Sequence, residues 1–105
     1  MTQPERYITP NALPTAHQRE ILTILAEECN EAAIAASKMM RFGKDDHNPY
    51  NPSEPNAAVL GREIGELYHM VARAIVLGLI DPKDISRGLE IKERKLAQYL
   101  QTDPP

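Results

Sequence analysis

The sequence predicts an all-α protein: three main helices per chain, forming a helical bundle that oligomerisation completes. Three observations carry this. Apolar residues recur at helical spacing over three segments, and nowhere does the period-2 alternation of a strand appear. Breaker-rich stretches separate the segments, one beginning at Gly43 and one at Asp81-Pro82. The middle segment is apolar nearly all round, more than two neighbouring helices can cover. A second copy of the chain is the economical cover, giving a homodimer or a dimer-of-dimers tetramer.

Taken in order, residues 1–14 hold three prolines and no period, so they read as an irregular arm. The helical domain spans 15–101, and 102–105 is a tail. Thr15 offers an N-cap and Gln18 completes a capping box. The first helix is expected over Ala16–Phe42, stopped by Gly43. Lys44 to Pro55 is rich in Asp, Asn and Pro and reads as a long loop, a length that often serves function. The second helix is expected from Asn56 to Leu79, as the buried centre of the bundle. Asp81 as N-cap with Pro82 behind it opens the third, which runs to about Leu100.

Composition narrows the function classes. With 105 residues, 42% hydrophobic and 26% charged, the chain suits one soluble domain. A net charge of −3 argues against binding a nucleic-acid polymer. The single Cys29 excludes an internal disulfide. The first 14 residues lack a signal-peptide core, and charges interrupt the apolar run from Val59 to Ile80, so a cytoplasmic protein without a membrane span is expected.

The chemistry concentrates in two acidic motifs. Glu27-Glu28-Cys29-Asn30-Glu31 puts three carboxylates in one sector of the first helix, since each residue turns it by about 100°. Lys38 lies further along that stripe. Leu22, Leu25, Cys29, Ala32, Ala36 and Met40 are expected on the opposite, core-facing side. Glu63-Ile64-Gly65-Glu66 repeats the three-residue spacing on the second helix, where Val59, Leu67, Met70 and Ala74 share its side. Carboxylates on an apolar face must take up a proton or find a cation. Two such helices face to face gather four carboxylates, an oxygen-only set suited to Mg²⁺, with Mn²⁺ as substitute.

Basic residues stand nearby. Lys38 and Arg41 complement the dipole at the first helix's C-terminus and can also bind phosphate. The third helix carries a basic face, from which Lys92 and Lys95 are candidates to reach an anionic ligand. Glu66-Leu67-Tyr68-His69 is an E-x-x-H motif of the kind found in di-iron and di-manganese carboxylate bundles. That redox class is one alternative. A non-catalytic helical interaction module, with the acids as solvated surface, is the other.

These motifs together resemble the MazG-like all-α nucleoside triphosphate pyrophosphohydrolases, in particular their short, single-domain, phage-type members. The family pattern E-E-x-x-E, then E-x-x-D, is matched by Glu27-Glu28-Cys29-Asn30-Glu31 and by Glu63-Ile64-Gly65-Glu66. Glu66 stands where the family has aspartate. Ser37-Lys38-Met39-Met40-Arg41-Phe42-Gly43 is similar to the segment that follows the first motif. The resemblance implies Glu28, Glu31, Glu63 and Glu66 as metal ligands and Glu27 as a ligand or as the base for the attacking water. It implies Lys38 and Arg41 as phosphate contacts. The implied reaction takes a (deoxy)nucleoside triphosphate to monophosphate and pyrophosphate, water attacking the α-phosphorus.

Overall fold

Side-chain caps set where the first helix begins. In a computed structural model that describes residues 13–104, the Thr15 hydroxyl accepts from the Gln18 N–H at 3.1 Å while Gln18 Oε1 accepts from the Thr15 N–H at 2.9 Å. This capping box opens α1, Ala16–Phe42. Gly43, at φ 88°, ends it by donating its N–H to the Met39 carbonyl at 2.9 Å. The expected irregular arm lies almost wholly outside the described residues.

The loop that follows is itself folded. Asn56 and Ala57 return their N–H groups to the carbonyls of Asp46 and Lys44, at 2.8 and 3.0 Å, and His47 bridges Pro55. The Asn56 amide donates to the Gly43 carbonyl at 2.8 Å, which ties the two helix ends together. From there α2, Asn56–Val76, runs back along α1. The pair is antiparallel: Gly43 meets Asn56 at one end, and Glu28 meets Glu63 and Glu66 further along.

The second helix stops three residues short of the expected Leu79. Gly78 adopts φ 74°, its N–H bonding the Ile75 carbonyl while the Leu79 N–H bonds that of Ala74. This paired closure is a Schellman motif, and the left-handed glycine at its heart is what the apolar period concealed. Asp81 then accepts from the Lys83 N–H at 2.9 Å, with Pro82 at the first helical position, to open α3, Pro82–Tyr99. The expected all-α class holds: three helices and no sheet among the described residues. None of these helices is long and apolar enough to cross a membrane.

The interior is small. Ile21, Ala32, Ala35, Met70 and Ala74 are its buried apolar side chains. Ile21 and Met70 contribute about 1.5–3 kcal/mol each, and the alanines much less. Two expectations need correcting. The packing face of α1 runs through Ile21, Leu25, Glu28, Ala32 and Ala35, while Leu22 and Cys29 are exposed and Met40 is 82% exposed. It lies about one residue round from the expected stripe, because alanine is too small to mark which side is covered. Nor is α2 a buried central helix within one chain. Only Asn56, Glu63, Met70 and Ala74 are buried on it, and α3 buries nothing.

Candidate metal centre

Where α1 and α2 cross, an acidic group forms. Glu63 projects from α2 into the seam and is buried, and Glu66 lies one turn later at the exposed edge. Glu28 enters half-buried from the packing face of α1. One carboxylate oxygen from each lies within 4.8 Å of the others. Glu28 Oε2 is buried without a hydrogen-bond partner. Such an orphaned oxygen is costly unless something donates or coordinates to it.

Arg62 supplies the only cation at salt-bridge distance from this group among the described residues. Its Nε and Nη2 grip both oxygens of Glu54, at 2.8 and 3.2 Å. Its Nη1 donates to Glu63 Oε1 at 3.2 Å and to Glu66 Oε2 at 3.1 Å. The Asn51 amide donates to Glu54 Oε1 at 3.2 Å, so the loop fixes the far end of the bridge.

The electrostatics follow from this geometry. Burial, then the charge of Glu66, push the Glu63 carboxyl above its ordinary value, and Glu31 adds to the push. Hydrogen bonding from Arg62 holds Glu54 below its ordinary value. The Glu54 carboxylate raises the proton affinity of Arg62 in turn. Five carboxylates, Glu28, Glu31, Glu54, Glu63 and Glu66, thus face two cations, Arg62 and Lys38. Three carboxylates with an unpartnered oxygen fit a hard divalent ion by donor chemistry.

Beside the group opens a cavity of about 210 Å³, whose walls include Glu31, Lys38, Asn56, Arg62 and Glu63. The structure therefore gathers Glu28, Glu63 and Glu66, and places Glu31 and Lys38 on the adjoining wall. It does not bring every predicted residue there. Glu27 is exposed, one helical step round from Glu28, so it does not join the three acids. The Arg41 guanidinium lies over the Phe42 ring, 4.9 Å from its centroid, rather than at the acids. Lys92 and Lys95 are exposed on α3, which packs no buried side chain and does not carry them to the cavity. His69 is exposed, accepts from Arg73 Nε at 3.4 Å and stands outside the acidic group of its own chain.

Arg62, Glu54 and Asn56 escaped the sequence reading. Arg62 had a signal: it precedes Glu63 directly and stands four residues before Glu66, the spacing of a helical ion pair. Glu54 and Asn56 had none, since their roles depend on how the loop folds back. Compared with family models, with curated proteins and with solved structures, the chain matches none.

Proposed function

We propose that this chain is a divalent-cation-dependent hydrolase of (deoxy)nucleoside triphosphates, releasing monophosphate and pyrophosphate and working as a homo-oligomer. The observation that carries the reading is the convergence of Glu28, Glu63 and Glu66 around the unpartnered Glu28 Oε2. The resemblance of the two acidic motifs to the MazG-like hydrolases points the same way. When bound, Mg²⁺ or Mn²⁺ supplies charge neutralisation for the triphosphate and a more acidic water. Glu28, Glu63 and Glu66 would hold the ion. Glu31, on the cavity wall, completes that set or accepts the proton of the attacking water. Lys38 donates to phosphate oxygens and steadies the charge on the departing pyrophosphate.

Chromatography after incubation with the common nucleoside triphosphates and Mg²⁺ tests this. Monophosphate and pyrophosphate should appear together. Orthophosphate with diphosphate as primary products, or no turnover of any nucleotide, would overturn it.

One observation favours a second reading. Arg62 already bridges Glu54, Glu63 and Glu66, as a purely structural ion network would. Under that reading Mg²⁺ leaves the melting temperature unchanged. Under the hydrolase reading it raises it.

A further inference from the structure

We infer that the hollow between the end of α1 and the 44–55 loop is the nucleobase subsite of this site, an inference that rests on the hydrolase reading. The hollow measures about 410 Å³ and is lined by Phe42, His47 and Pro49 together with Asp46 and Asn48. It adjoins the acidic cavity directly, because Lys38, Asn48 and Asn56 belong to both walls. Asn56 is buried and pinned to the Gly43 carbonyl, so the partition between the two spaces is fixed. One ligand can therefore lie across them, its anionic end beside Lys38 and its other end against Phe42.

The chemistry of the second space is that of a base. Phosphate has no use for apolar walls, whereas an aromatic ring stacks on any nucleobase. Phe42 is the only phenylalanine in the chain and stays 54% exposed at the helix end. The polar groups are partly committed: one Asp46 oxygen accepts from the His47 N–H, and the Asn48 oxygen accepts from the Tyr50 N–H. This leaves the second Asp46 oxygen and the Asn48 amide nitrogen to meet the polar edge of a bound base. A cavity of this volume is within the range of small-molecule sites.

Calorimetric titration of the Mn²⁺-loaded full chain tests the assignment with three probes: pyrophosphate, ribose 5-phosphate, and a panel of ribo- and deoxyribonucleoside monophosphates. At least one monophosphate should bind more tightly than ribose 5-phosphate. Phe42→Leu should weaken that monophosphate about tenfold, the scale of one base stacked on one ring, and leave pyrophosphate unaffected. Phe42→Tyr should restore the affinity. Circular dichroism melts confirm that both variants fold. Unchanged monophosphate affinity in Phe42→Leu overturns the inference, as does an equal loss for monophosphate and pyrophosphate. Wild type that binds pyrophosphate but prefers no monophosphate overturns the subsite alone. Wild type that binds none of the probes overturns the hydrolase reading with it.

Discussion

At the scale of residues, Glu63 is the carboxylate most in conflict with its surroundings. Burial and the charge of Glu66 raise its folded-state proton affinity above the ordinary value of 4.5. Between that value and the raised one, the folded chain holds a proton that the unfolded chain has released. The stability this lends is present in acid and is lost as pH rises through the raised value. Glu54 runs the other way: its contribution stands above 4.5 and is lost as pH falls through its lowered value. Without divalent cation, the melting temperature should therefore climb as pH is lowered from neutrality towards 4.5. Glu63→Gln should raise the neutral-pH melting temperature and flatten that climb, while Arg62→Gln should lower it by a few degrees. Melts across this pH range check both, and a flat wild-type profile would contradict the account. The acids were legible as a group, but the side of α1 they occupy was not. Helical spacing sets Glu28 opposite the stripe of Leu22, Cys29 and Met40, yet it enters half-buried from the packing face.

Among elements, boundaries were legible wherever a side chain writes them. Thr15 with Gln18, and Asp81 with Pro82, carry their own capping chemistry, and α1 and α3 start where those residues say. The end of α2 was not legible, because Leu77, Leu79 and Ile80 continue the apolar period past a backbone reversal that only Gly78 reveals. That reversal can be tested. Gly78 sits at φ 74°, where a Cβ costs about 1–2 kcal/mol. Gly88 stands inside α3 with nothing within 4 Å of an added Cβ, where alanine gains about 0.5–1 kcal/mol. Gly78→Ala should melt lower than wild type and Gly88→Ala higher. Equal shifts of one sign would refute the assigned roles of these two glycines.

For the whole molecule, one chain is open. Its Cα radius of gyration is 18.1 Å, against about 13 Å for a close-packed chain of this length. Tyr68, Val76, Leu89 and Tyr99 lie well exposed along α2 and α3. The apolar circumference of the second helix was visible in the sequence, and among the described residues neither α1 nor α3 covers Tyr68 or Val76 on it. Light scattering at micromolar concentration should give a dimer or larger, and the melting temperature should rise with protein concentration. A stable monomer would refute this and deny the site any help from a partner. Within the chain, one guanidinium joins the folded loop to the acidic group, since Arg62 grips Glu54 with two nitrogens and Glu63 and Glu66 with the third. Coupling free energy is reciprocal. A ligand that draws Glu54 off Arg62 changes the appetite of the acids for a cation, and a cation that displaces Arg62 from the acids changes the loop's readiness for that ligand by the same factor. Were both to bind, either could come first, and each would report on the other through Arg62.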